Sequence, residues 1–92
     1  GTVESLERGI EAVVRDLDPA CTDARDAERL VERFAAIERL ASAGKTLMAR
    51  RVAGTAVWAR RGDRSAAHWL ARVARTGLGE AISTLFPAGS RT

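Results

Sequence analysis

Tyrosine is absent from this 92-residue chain, and cysteine, histidine, methionine and lysine occur once each, as Cys21, His68, Met48 and Lys45. A lone cysteine excludes an internal disulfide and points to a reducing, cytoplasmic setting. A lone histidine leaves no set of soft ligands at metal-binding spacing, so neither a metal nor a cofactor is expected. His68 has no nucleophile or base at useful spacing, Cys21 being far off in sequence, and no catalytic residue, enzymatic activity or small-molecule substrate is assigned. Proline stands only at positions 19 and 87, so none interrupts the chain between them. No apolar run approaches the roughly 18 residues of a membrane span. Aromatics make up 4% of the residues against 46% hydrophobic ones, so a core has to be built from Leu, Ile, Val and Ala. The strand-forming residues do not alternate with polar ones, and the chain reads as all-α.

What is present is one long apolar stripe. Leu30, Phe34, Ile37, Ala41, Gly44, Met48, Val52 and Thr55 follow one another at steps of three or four, with Leu40, Leu47 and Trp58 flanking the same line. That is the period of a helix with a broad buried face. A continuous helix over 24–61 would be about 55 Å long, and it cannot cover its own stripe. Gly44 and Gly54 each cost about 1 kcal/mol against Ala and are the places where a bend would fall. The face opposite carries Ala35, Ser42, Thr46, Ala49, Ala53 and Ala56. These read first as helix formers on a solvated surface, and alternatively as a face that lets a second helix approach closely.

The rest of the chain arranges itself around that helix. A first helix over 3–17 has Thr2 as its cap and Val3, Leu6, Ile10, Val13 and Leu17 on one face. Asp18-Pro19 ends it, because a residue before proline avoids the α region. The short connection favours an antiparallel hairpin with the long helix, which Thr22 or Asp23 would cap and Arg60-Arg61-Gly62 would end. Ser65 caps a third helix over 66–75, with Ala67, Leu70, Ala71 and Ala74 inward. Thr76-Gly77 makes a turn, and a fourth helix over 78–86 buries Leu78, Ile82 and Leu85 before Pro87 and a flexible tail over 87–92. The expected architecture is one domain over 1–86, a helical hairpin built on one long central helix with two short C-terminal helices, and Trp58 and Trp69 in one cluster. The stripe carries more apolar surface than one short helix covers. A homodimer is therefore expected, with Leu30, Phe34, Ile37, Leu40, Leu47 and Met48 shared between core and interface.

Charge is divided unevenly. Residues 1–43 hold ten acids and six bases, whereas 44–92 hold two acids and nine bases. A basic half with clustered arginine suits phosphate contacts, and 65–86 has the outline of a helix–turn–helix. Ala71 to Gly77 is six residues where that motif usually leaves four, and the fourth helix has few base-reading side chains. The candidate contacts to duplex DNA are therefore Arg60, Arg61, Arg64, Arg72 and Arg75. The competing reading is an arginine-rich solvated face around two buried tryptophans, on a homo-oligomeric interaction or assembly module that binds no nucleic acid. Gly44-Lys45-Thr46 has the ending of a phosphate-binding loop, but Arg39 stands where the earlier glycine is required.

The run from Gly62 through Ser65, Trp69, Leu70 and Ala71 spells Gly-x-x-Ser-x-x-x-Trp-Leu-Ala, followed by Gly77 and Ala81. Over about residues 24–86 the chain resembles the actinobacterial domain of unknown function 222, which lies N-terminal to HNH endonuclease domains. The fourteen arginines to one lysine, with abundant alanine, fit the coding bias of a GC-rich genome. The resemblance implies an α-helical, non-catalytic region of nuclease-like or mobile-element proteins, associated with DNA. Members continue with further helices, so the expectation is a fragment or a shortened relative without the catalytic half.

Overall fold

A computed structural model describes residues 1–87. Four α-helices account for most of them: α1 (Thr2–Asp16), α2 (Ala24–Ala53), α3 (Ala66–Ala74) and α4 (Leu78–Leu85). Single 3₁₀ turns, Pro19–Cys21 and Val57–Arg61, precede and follow α2. No strand occurs among the described residues, and no helix there is long and apolar enough to cross a membrane. The all-α class with one long central helix and two short C-terminal ones is the architecture observed. The part of the expected tail at 88–92 lies outside the described residues.

The chain divides into two compact units, Gly1–Ala36 and Ile37 onward. In the first, α1 ends at Asp16, and Leu17 and Asp18 are extended ahead of Pro19. The Asp18 carboxylate accepts from the Ala20 N–H at 3.1 Å, and the Thr22 hydroxyl donates to the Asp18 carbonyl at 2.7 Å. Of the two expected caps for α2, Asp23 is the one used: its carboxylate accepts from the Arg25 N–H at 3.2 Å. No residue of this unit is fully buried; the apolar side of α1 is exposed, and Leu30 and Phe34 are half-buried.

In the second unit α2 stops at Ala53, eight residues before the expected end. The reason is local. Gly54 has little preference for the helix, and the next residue, Thr55, offers its backbone an alternative. The Thr55 hydroxyl donates to the Val52 carbonyl at 2.7 Å and accepts from the Val57 N–H at 3.2 Å. The chain turns there into the 3₁₀ turn, and Gly62, at φ 85°, closes that turn rather than α2. The glycine expected to end the long helix does end an element, but a different one.

The core of this unit is Ala49, Ala66, Ala67, Leu70, Ala81 and Leu85, with Ala53, Trp58, Trp69, Ala71 and Ala74 packed around it. Both tryptophans thus share one cluster. The small-residue face of α2 is the buried one: Ala49 is 3% exposed, whereas Leu40, Leu47 and Met48 on the large apolar stripe are 74%, 62% and 63% exposed. That reverses the reading of the two faces. α3 and α4 pack closely on one another through Ala66, Ala67, Leu70, Ala81 and Leu85, Ala49 of α2 joins that cluster, and Leu40, Leu47 and Met48 of the bulky stripe take no part in it. In that pairing α4 buries Ala81 and Leu85 and leaves Leu78 and Ile82 exposed.

Candidate nucleic-acid interface

The five candidate arginines all lie in the second unit, on the segments that surround α3. Arg60 and Arg61 are in the last turn of the 3₁₀ turn, Arg64 is in the loop that leads to α3, Arg72 is in the last turn of α3, and Arg75 is the residue that ends it. All five are exposed. Their chemistry is not equal, however.

Arg72 already has a carboxylate. Its Nε donates to Asp63 Oδ1 at 3.2 Å and its Nη2 to Oδ2 at 2.7 Å, a two-pronged pairing of fork on fork. The hydrogen bond from Arg72 holds the Asp63 carboxyl below its ordinary value, and the same bond raises the Arg72 guanidinium. This pair ties the loop before α3 to the last turn of the helix. It also removes Arg72 from the set of unneutralised cations, so a phosphate would have to compete with Asp63. Arg50 is committed in a different way, its Nε donating to the Thr84 carbonyl at 3.2 Å, where α4 runs out of internal partners. Arg60, Arg61, Arg64 and Arg75 have no such partner among the described residues and remain open to an anion.

The frame that carries them is set locally. Ser65 is the cap of α3 as expected, its hydroxyl oxygen accepting from the His68 N–H at 3.1 Å. The same hydroxyl lies 2.7 Å from His68 Nδ1, so the His68 ring folds back onto the capping side chain over the first turn. The far end is less ordinary. Arg75 adopts the left-handed conformation, φ 57° and ψ 44°, with its N–H and that of Thr76 both directed to the Ala71 carbonyl. This site normally takes glycine. Gly77, which the sequence suggested as the turn glycine, instead caps α4 with φ −72°. Three residues, 75–77, thus separate α3 from α4.

Sequence reasoning missed the Asp63–Arg72 pair, because a nine-residue separation across a loop has no local signature. The Ser65–His68 contact had one, the spacing from a capping serine to the third helical residue. Trp58 and Trp69 are half-buried against the core, and their position makes them braces for the 3₁₀ turn and α3. A depression lined by Lys45, Leu70, Ala74, Thr76, Glu80 and Thr84 holds only about 10 Å³, room for no more than one water. No group of three or more His, Cys, Asp or Glu able to hold a metal occurs among the described residues. Compared with known proteins, the chain matches no family model, no curated protein and no solved structure.

Proposed function

We propose that this is a non-catalytic helical domain that associates with duplex DNA through phosphate contacts. The observation that carries the reading is the set of four guanidinium groups, Arg60, Arg61, Arg64 and Arg75, exposed around α3 with no carboxylate of their own among the described residues. Arginine's planar fork suits phosphate oxygens, and a basic surface left unneutralised by its own fold attracts a polyanion. The exposed side of α4 offers Glu80, Ile82 and Ser83 but no Arg, Asn or Gln, so binding is expected to ignore base sequence. The Gly62 to Ala81 resemblance to nuclease-linked domains, and a reducing cytoplasmic setting for Cys21, agree with this role. Arg72 ranks below the other four because of Asp63.

Anisotropy titrations of a labelled random-sequence duplex over a salt series test the proposal. Four phosphate contacts give log K against log salt a slope of about −3.6, at about −0.9 per contact. Arg61→Ala with Arg64→Ala should flatten that slope by about 1.8 and weaken every sequence alike. Absence of binding at about 50 mM salt by a folded protein would overturn the proposal, since phosphate contacts are strongest there. An assembly module without nucleic acid is the second reading, and the observation in its favour is the uncovered stripe of α2.

A further inference from the structure

The stripe of α2 within the second unit has a regular register. Ile37, Ala41, Gly44 and Met48 alternate at steps of four, three and four, the seam of a heptad repeat. Glu38 and Lys45 follow the seam on one side, and Leu40 and Leu47 precede it on the other. All eight residues are exposed; Ala49, one turn on from Lys45, meets α3 and α4 beside that flank, where Lys45 also lines the depression with Leu70 and Glu80. Neither Glu38 nor Lys45 has an ion-pair partner among the described residues. A side chain added at Gly44 would meet nothing within 4 Å.

We infer that this face is the docking surface for a second copy of the chain, with the two α2 helices antiparallel about a point between Ser42 and Ala43. The argument is self-complementarity. In that register Ile37 faces the partner's Met48, and Ala41 faces the partner's Gly44, where the absence of bulk lets the helices close. The residues that flank the seam then meet their own kind of position. Glu38 lies beside the partner's Lys45, and the twofold axis repeats the pair. On the other side Leu40 lies beside the partner's Leu47, again twice, covering the two most exposed leucines of the helix. A parallel in-register pair does neither, because it places Lys45 beside the partner's Leu40. The single lysine of the chain thus gains a role that the monomer does not give it. The inference stands apart from nucleic-acid binding and is tested without DNA.

Sedimentation equilibrium on the full chain, from about 1 to 200 µM, should show a monomer–dimer equilibrium. Leu47→Glu should abolish the dimer while far-UV circular dichroism stays unchanged, because Leu47 contributes nothing to the core. Glu38→Lys and Lys45→Glu each turn two attractive pairs into repulsive ones, and should each raise the dissociation constant by about tenfold. The double reversal, Glu38→Lys with Lys45→Glu, restores both pairs and should return the constant to within about twofold of the parent. A parent protein that stays monomeric at about 200 µM overturns the inference, as does a dimer indifferent to Leu47→Glu. If the double reversal proves no better than either single change, the antiparallel register is wrong.

Discussion

Arg75 offers a test in which stability and binding should move in opposite directions. Its backbone occupies the left-handed region, which costs an L-residue about 1–2 kcal/mol and glycine almost nothing. Arg75→Gly removes that cost but adds about 0.4–1 kcal/mol of chain entropy to the unfolded state. The net expectation is a gain of about 0.5–1 kcal/mol. For a domain of this size each kcal/mol is worth about 4–8 °C, so the midpoint should rise by roughly 2–8 °C. Tryptophan fluorescence reads this directly, because Trp58 and Trp69 both pack on the core that α3 completes. The same substitution deletes one of the four open guanidinium groups, and the salt slope for duplex DNA should flatten by about 0.9. Arg75→Ala supplies the control. It loses the charge but keeps a Cβ in the left-handed conformation, so its slope should match that of the glycine variant without the gain in midpoint. A glycine variant no more stable than the alanine variant would refute the strain argument, and an unchanged slope in both would remove Arg75 from the interface.

Four further outcomes follow from named residues. Asp63→Asn releases Arg72, and the salt slope should steepen by about 0.9 as a fifth contact becomes available; an unchanged slope would mean that Arg72 faces away from the phosphates. Asp63 also carries a pH signature: its folded carboxyl lies below the unfolded value, so its contribution is complete above about pH 4 and fades as pH falls through the lower folded value. Urea titrations at a series of acid pH values should therefore show parent and Asp63→Asn converging in that window, and a constant gap would refute the assignment. Ser65→Ala removes the acceptor for the His68 N–H and should cost about 1 kcal/mol by urea denaturation, whereas Ser65→Asp should retain most of the stability. Gly9→Ala in exposed α1, where an added Cβ meets nothing within 4 Å, should favour that helix by about 1 kcal/mol and slow amide exchange along it; unchanged exchange would show that α1 is limited by something other than local propensity.

By itself the sequence determined the features that depend on neighbours in the chain. A cap for α2 at Thr22 or Asp23, Ser65 as the cap of α3, the break before Pro19, the long period-3.6 segment and the absence of strands among the described residues are all consequences of residues within a turn or two of one another. Even the end of α2 was half legible, since Gly54 was visible as a weak point, but the competition between Gly54-Thr55 and Gly62 is settled by which hydroxyl reaches which carbonyl. Tertiary structure alone decided which face of α2 is inside. Hydrophobic periodicity measures the apolar content of a face and says nothing about how near a partner helix can come. Ala49, Ala66, Ala67 and Ala81 are buried together with Leu70 and Leu85, on the side of α2 where α3 and α4 gather. The same packing placed Asp63 against Arg72 across nine residues and left Arg60, Arg61, Arg64 and Arg75 without a carboxylate among the described residues, a distinction that formal charge could not make. It also left Leu40, Leu47 and Met48 uncovered, because the core of their unit gathers at Ala49 and Ala53 and does not reach them.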